Sequence, residues 1–281
     1  FSLFWVVLTA GVLVAFDMAS AVFVDREFSE TMAEALKIAK VQPFVIDIDD
    51  PEFEGPGSCI GEMNFEAFLA SGDENYPYRA PADEWDAISL NYTSGTTGDP
   101  KGVVYSHRGA YLASMCNALT WSMPQQPVYL WTLPMFHCNG WCFPWALAFQ
   151  AGVNVCLRQV RAGAIFDAIA KHKVDHMCGA PIVLNLIANA KPSEKKTFDH
   201  VVKVMTAAAP PPPSTLEAME REGFDVLHVY GLTETYGPSV VCAWHDEWNE
   251  LAPADKAAVK ARQVADRDFV TREEFDAVRM M

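Results

Sequence analysis

The amino-acid sequence predicts an α/β protein with layered, largely parallel sheets and flanking helices. After Asp25, short β-rich runs alternate with segments of helical periodicity, a pattern typical of βαβ units. Apolar residues make up 51% of the 281-residue chain, so it can bury a substantial core. The composition therefore excludes a disordered tail and fits one large domain or two small ones.

The first predicted strand is Phe44–Ile48, which ends at an Asp-Asp-Pro turn. Residues 50–86 are rich in loop formers, and we expect only a short helix there, at residues 65–70. A buried strand follows at residues 88–92. Later strand candidates are short apolar runs between helical segments: residues 128–133, 154–158, 176–179, 201–206 and 226–230.

Proline marks two of the later helices. Pro181 stands where a helix can begin without losing a hydrogen bond, and Pro210–Pro213 predicts an extended connection before a helix at residues 214–222. Thr271 and Glu274 form a capping-box pattern, which predicts a terminal helix in the charged segment 264–281.

The N-terminal segment is apolar, with no charge from Phe1 to Phe16. We interpret residues 1–21 as a hydrophobic strand or helix cut from a longer protein. The alternative is a membrane anchor in residues 1–24, but sixteen uncharged residues are short for a span and no basic residues precede them. We therefore expect no membrane anchoring.

Charge and cysteine content exclude other classes. The net charge of −15 argues against a nucleic-acid-binding protein, because phosphate backbones are held by clustered basic residues. Seven cysteines without a C-x-x-C pair indicate reduced thiols in a cytoplasmic protein. Cys138 and Cys142 lie near His137, but a second ligand pair is missing, so buried apolar cysteines are favoured over a metal site.

The strongest motif is YTSGTTGDPKG at residues 92–102, between a strand and a helix that begins near Ser106. Such a turn directs backbone N–H groups and hydroxyls into one concavity, and Lys101 adds a mobile cation, which favours a polyphosphate ligand over a merely flexible polar loop. It is not a Walker loop, since Pro100 stands where the second glycine is required. The candidate phosphate-binding residues are Thr93, Ser94, Gly95, Thr96, Thr97, Gly98 and Lys101.

Three further motifs follow in the chain: LPMFHCNGW at 133–141, AAAPPPP at 207–213 and YGLTET at 230–235. With the loop at 92–102, they make the sequence resemble the adenylate-forming (AMP-binding) enzymes, which include acyl-CoA synthetases, luciferases and peptide-synthetase adenylation domains. The resemblance covers about residues 22–263. The residues of these motifs most resemble those of short- and medium-chain fatty acyl-CoA ligases, including methylthiopropionate-CoA ligases.

The resemblance implies part of the large N-terminal domain of such an enzyme, and it implies roles for individual residues. Glu234 matches the magnesium-binding glutamate, which suits a cation held by one carboxylate and substrate phosphates; the alternative is a first-turn helix acid, which Gly237 and Pro238 disfavour. Thr233 matches the threonine at the α-phosphate. The adenine site would comprise Ala207, Ala208, Ala209, Tyr230 and Gly231, although Tyr230 could equally be a core aromatic residue.

The acid site is implied less clearly. His137 matches a gate residue beside the acyl site, against the alternative of an ordinary satisfied polar side chain. Trp141, Phe143 and Trp145, with the Gly179-Ala180-Pro181 corner, are candidates for an apolar wall, although aromatic residues at this spacing are more often core. Bulky rings would narrow the cavity and favour a short or medium acid.

The resemblance therefore implies ATP-dependent activation of a small carboxylic acid to an acyl-adenylate and then to a thioester of coenzyme A, with Mg²⁺ as the metal. The catalytic residues would be Lys101, Thr233, Glu234 and His137. Downstream of YGLTET, the sequence contains no T-G-D motif, whose aspartate would bind the ribose hydroxyls in the family, and no arginine hinge motif or C-terminal small domain with its lysine. We therefore expect weak activity and residual nucleotide affinity. The alternative is a non-catalytic nucleotide-binding fragment, and a membrane-anchored scaffold is a more distant one.

Overall fold

The computed structural model describes residues 19–93, 101–208, 211–242, 244–252, 255–256 and 258–259. These residues divide into two compact units. The smaller unit contains the described residues up to Ala82 together with the segment around Thr93 and Lys101, and the larger contains residues 83–91 and those from Val104 onward. Most of the apolar N-terminal segment and the capping box at Thr271 lie outside the described residues.

The smaller unit is built on a three-stranded parallel sheet in the order β1-β2-β3. Its elements are β1 (Ala21–Asp25), α1 (Ser29–Ile38), β2 (Phe44–Ile48), β3 (Met63–Asn64) and α2 (Phe65–Ala70). Asp47 on β2 is buried, and its carboxylate accepts the backbone N–H groups of Ile60 at 2.9 Å and Gly61 at 2.7 Å. The last four residues of the segment considered as a membrane anchor, residues 21–24, lie in strand β1.

The larger unit contains a six-stranded sheet in the order β11-β10-β9-β8-β6-β7, parallel except for the pairing of β10 with β11. Its strands are β6 (Val128–Trp131), β7 (Val153–Cys156), β8 (His176–Cys178), β9 (Val202–Thr206), β10 (Phe224–Leu232) and β11 (Gly237–Val241). The predicted α/β class with largely parallel sheets is confirmed.

Helices cover both faces of this sheet. They are α3 (His107–Thr120), α4 (Phe143–Phe149), α5 (Ala162–His172), α6 (Pro181–Ala188) and α7 (Pro213–Arg221). Alternate strand residues enter different cores: Leu130 packs with apolar residues of α5, α6 and α7, whereas its neighbours Tyr129 and Trp131 pack with residues of α3 and α4. This alternation follows from the two-residue period of a strand.

Two strands, β4 (Ala87–Tyr92) and β5 (Gly102–Ser106), pair with each other and lead into α3. Ser106 caps that helix, since its Oγ accepts the N–H of Gly109 at 3.1 Å. The sequence analysis did not predict β5 or β11. Pro238 in β11 is a strand breaker only inside a sheet, and β11 is an edge strand where proline is tolerated.

No helix within the described residues is long and apolar enough to cross a bilayer.

Candidate functional site

A cavity of about 250 Å³ lies in the larger unit, among residues that follow the carboxyl ends of β6, β8, β9 and β10. This edge of a parallel sheet is the usual place for ligands in α/β folds. The cavity brings together predicted residues from three separate motifs and the Gly-Ala-Pro corner: His137, Trp141, Ala180, Ala207, Ala208, Gly231 and Thr233.

Other predicted residues have different positions. Gly179 and Pro181 flank Ala180 but do not line the cavity. Tyr230 and Glu234, which belong to the YGLTET motif, do not line it either. Tyr230 is 46% exposed, which excludes the core-aromatic alternative. The predicted residues Ser94, Gly95, Thr96, Thr97, Gly98 and Ala209 lie outside the described residues.

The sequence analysis missed six residues of the wall: Leu133, Cys138, Val229, Leu232, Gly237 and Pro238. Five of them belong to the quoted motifs or come just after one, and Leu232 is part of YGLTET. Leu133 and Cys138 are part of LPMFHCNGW, and Gly237 and Pro238 come just after YGLTET. The signal that could have found them is therefore proximity to a motif.

Of the three aromatic residues predicted to form the cavity wall, one lines the cavity and two do not. Trp141 lines the cavity and is buried, with 7% of its surface exposed. Phe143 is instead a core residue: its ring centroid lies 5.3 Å from that of Trp121 and 5.2 Å from that of Tyr129. Trp145 is half-buried and is not part of the wall. The expectation that Phe143 and Trp145 line the cavity is wrong. The backbone just before them adopts a left-handed conformation, which changes the direction of the side chains that follow.

We call residues 138–142 the left-handed turn, because their backbone is in the left-handed region. All five residues have positive φ: 48° at Cys138, 42° at Asn139, 54° at Gly140, 55° at Trp141 and 63° at Cys142. Side chains disfavour this conformation by roughly 1–2 kcal/mol per residue, so the four residues other than glycine cost on the order of 6 kcal/mol. Strain of this size persists only where surrounding contacts enforce it, and it concentrates at functional sites.

A second short element at the cavity is the 3₁₀ turn Thr233–Thr235, which follows β10. Tyr105 on β5 donates its hydroxyl to the carbonyl of Thr233 at 2.7 Å, and its ring stacks on Tyr236 with centroids 4.0 Å apart. The hydroxyl of Tyr236 in turn accepts the N–H of Ser106 at 3.0 Å. The two tyrosines therefore tie this turn to β5 and the start of α3.

Glu234 is exposed at the middle of the same 3₁₀ turn. Within the described part of the chain, no group of three or more His, Cys, Asp or Glu side chains could hold a metal ion. A lone exposed carboxylate fits a Mg²⁺ ion that takes its other ligands from phosphates and water.

Thr93 and Lys101 face each other at the ends of β4 and β5. The N–H of Thr93 donates to the carbonyl of Lys101 at 2.9 Å, and the N–H of Lys101 donates to the hydroxyl of Thr93 at 3.3 Å. These two bonds hold the backbone of Lys101 in place, and the residue is exposed to solvent.

Two ionisable groups of the cavity wall are uncharged. His137 lies at the rim, and partial desolvation lowers the pKa of its imidazole, which keeps it neutral at pH 7. Burial raises the pKa of the Cys138 thiol, whose sulfur lies 3.4 Å from the hydroxyl oxygen of Thr233. The cavity therefore offers dipoles and apolar surface but no charge of its own from these two residues.

The predicted buried state of Cys138 and Cys142 is confirmed. Burial raises the pKa of Cys142 to about 12, and its thiol donates to the carbonyl of Tyr236 at 3.4 Å.

We expect His228 to make the protein less stable as the pH falls. Burial lowers its pKa in the folded state to about 4, and its Nε2 is buried without a partner among the described residues. The unfolded chain takes up this proton near pH 6.5, so the contribution is complete above that pH and is lost as the pH falls towards 4.

The measurement is the melting temperature of the wild type and His228→Leu between pH 7 and pH 5. The wild type should lose more degrees over this interval than the variant, which cannot titrate at this position. Parallel pH profiles for the two proteins would contradict the prediction.

The architecture matches solved structures, among them the N-terminal domain of a larger protein. The inhibitor-bound N-terminal domain of FACL13 from Mycobacterium tuberculosis superimposes with a TM-score of 0.69, covering 83% of this chain and 56% of that one. At 22% sequence identity, this likeness shows the fold.

The family model described as "AMP-binding enzyme" matches residues 12–264. The chain belongs to the AMP-binding enzyme family. It is 49% identical to the peroxisomal acetate/butyrate–CoA ligase of Arabidopsis thaliana over 267 residues, which are 91% of this chain and 47% of that protein. It is 43% identical to the 2-methylpropanoate–CoA ligase of Humulus lupulus over 261 residues, with the same coverage of 91% and 47%.

The chain thus spans about half the length of the curated relatives it matches. The name of the Arabidopsis relative places that protein in the peroxisome. The cytoplasmic location of this chain stays a prediction.

Proposed function

We propose that the chain carries the acid- and nucleotide-binding part of an acid–thiol ligase. The ligase activates a short- or medium-chain carboxylic acid with ATP and then transfers the acyl group to coenzyme A. The observation that carries the proposal is the cavity, because it gathers His137, Ala207 and Thr233 from three separate motifs at one sheet edge. Relatives that match 91% of the chain are named as CoA ligases.

The cavity supports a small acid. Its volume of about 250 Å³ lies below the roughly 300–1,000 Å³ of drug-sized ligand pockets. The wall contains the bulky side chain of Trp141 together with small residues, among them Ala207 and Ala208. The acids in the names of the relatives, acetate, butyrate and 2-methylpropanoate, are all short, with two to four carbon atoms.

In the first step, a carboxylate oxygen of the acid attacks the α-phosphorus of ATP, and the bond to pyrophosphate breaks. The reactants repel each other, so the protein must orient them and neutralise charge. Thr233 offers a hydroxyl to the α-phosphate, Lys101 a cation to the phosphates, and neutral His137 a flat ring beside the carboxylate without binding it as an ion pair. Mg²⁺ at Glu234 would supply charge neutralisation. In the second step, the thiol of coenzyme A attacks the acyl carbonyl and AMP leaves.

The binding step can be tested with the 281-residue chain. Acyl sulfamoyl adenosines, stable analogues of acyl-adenylates, are titrated calorimetrically with acyl groups of two to ten carbons. We expect the two- to six-carbon analogues to bind more tightly than the ten-carbon one, and binding to require the adenosine part. Equal affinity for free fatty acids without adenosine would contradict the proposal.

Glu234→Gln is expected to weaken the magnesium dependence of ATP binding while the fold stays intact. The substitution removes a charge from an exposed residue and no core contact. We expect the increase in ATP affinity caused by Mg²⁺ to be about tenfold larger in the wild type than in the variant. A tenfold difference is the size expected for the loss of one charged ligand contact.

The matched control is Glu220→Gln, the same change on α7 and outside the cavity wall. Titrations of ATP with and without Mg²⁺ measure the effect. The same Mg²⁺ response in the wild type and both variants would show that Glu234 does not bind the metal.

A further inference from the structure

We propose that Asn117 and Ser89 are positioning residues that hold the left-handed turn and thereby set the size of acid that the cavity accepts. The inference rests on the proposed function, since it concerns the acid-binding part of the same cavity. Neither residue lines the cavity. Their effect on the ligand would pass through the turn.

The turn needs external support, because its five consecutive left-handed residues include only one glycine, Gly140. The N–H of Cys142 donates to the carbonyls of Asn139 and Gly140, but backbone bonds within the turn do not remove the steric cost of side chains at positive φ. Contacts from neighbouring elements must do so.

The helix α3 holds the far end of the turn. Asn117 is 5% exposed, and its amide donates to the carbonyl of Trp141 at 2.8 Å. One helical turn earlier, the hydroxyl oxygen of Ser114 lies 2.6 Å from the carbonyl oxygen of Ala110 and 3.1 Å from that of Cys142, so its one proton is shared between the two acceptors. Residues three apart lie on the same helix face, so α3 grips two successive backbone carbonyls.

The strand β4 holds the middle of the turn. Ser89 donates its hydroxyl to the side-chain oxygen of Asn139 at 2.7 Å, and it accepts the amide of Asn91 at 3.3 Å. Asn91 is buried, which makes this chain of hydrogen bonds strong relative to one in water. The turn is thus fixed from two elements at once.

The consequence for the cavity lies in Trp141. Its carbonyl is the atom held by Asn117, and its side chain is part of the wall. Gly237 leaves room for this arrangement, since a Cβ there would lie 3.0 Å from the Cα of Trp141. If the hydrogen bond from Asn117 is lost, the turn can relax towards right-handed conformations, the indole moves, and the wall admits longer acyl groups.

The test compares the wild-type chain with Asn117→Leu, which keeps the volume and removes the donor. The probes are acyl sulfamoyl adenosines with four-carbon and eight-carbon acyl groups, together with AMP. We expect the preference for the shorter acyl group to fall about tenfold in the variant, within the range of apolar-pocket discrimination. The affinity for AMP should change less than twofold.

Ser89→Ala provides a second variant if Asn117→Leu does not fold, and it should shift the same ratio in the same direction. Asn189→Leu is the matched control, since the amide of Asn189 donates to the carbonyl of Asn185 in its own helix end and, within the described ranges, to no part of the turn. An unchanged ratio in folded variants, or an equal loss of affinity for all three probes, would overturn the inference. A wild type that binds none of the acyl analogues would instead overturn the proposed function, and the inference with it.

Discussion

Replacing Gly231 with alanine is expected to destabilise the larger unit by about 3 kcal/mol, at the upper end of the usual cost of overpacking. A Cβ at this position would lie 1.8 Å from the carbonyl oxygen of Gly237, 2.4 Å from its carbonyl carbon and 2.9 Å from the nitrogen of Pro238. These are backbone atoms, so no side-chain rotation can relieve the clash. The strands β10 and β11 must separate.

The separation would also open the cavity, because Gly231 and its partner Pro238 both line it. The stability loss is measured as the shift of the urea midpoint at constant m-value. Gly163→Ala is the matched control: it lies in α5, and its added Cβ would meet only Glu194, at 3.8 Å. That variant should be as stable as the wild type or slightly more so. A Gly231→Ala protein within about 0.5 kcal/mol of the wild type would contradict the prediction.

Gly231 also shows where the sequence was informative. It was predicted as part of the nucleotide site from the YGLTET motif, and the structure adds a physical reason for glycine there, the close approach of β11. That approach depends on an antiparallel edge strand whose sequence, GPSVV, contains two strand breakers. Periodicity alone cannot predict such a strand, because its pairing is decided by β10.

The parallel strands, in contrast to β11, were predictable from their own residues. A run such as residues 201–206 is mostly apolar, with Lys203 as its one charged residue, because side chains on both of its faces are buried, and this local pattern is sufficient to identify it. The carboxyl ends of these strands then meet at one edge by topology. His137 and Ala207, whose roles the family resemblance implied, therefore lie on one cavity although they are distant in the chain.

The left-handed turn was not predictable from its own residues. Four of its residues have side chains that disfavour positive φ, and only Gly140 signals a special backbone. The conformation is enforced by Ser89, Ser114 and Asn117, which are distant in sequence. Because the turn changes the direction of each following side chain, no spacing rule could tell that Trp141 faces the cavity while Phe143 enters the core.

Removal of the Lys101 side chain is expected to weaken ATP binding about 30-fold, equivalent to about 2 kcal/mol for a hydrogen bond to a charged group. The net charge of −15 repels a polyphosphate, so its binding must depend on local cations and backbone N–H groups. Among the described residues, no carboxylate forms an ion pair with Lys101. Its hydrogen bonds with Thr93 use backbone atoms of Lys101 and leave the ammonium free for a ligand.

The decisive comparison is between Lys101→Ala and Lys171→Ala, which remove the same charge. Lys171 lies in the last turn of α5 and is exposed. ATP affinity is measured by calorimetry at 0.15 M salt, where charges further than about 8 Å from the ligand are largely screened. If Lys101 contacts the phosphates, only its variant loses affinity, and the loss persists at this ionic strength. Equal losses in both variants would mean that ATP senses only the net charge, and the phosphate role of Lys101 would have to be abandoned.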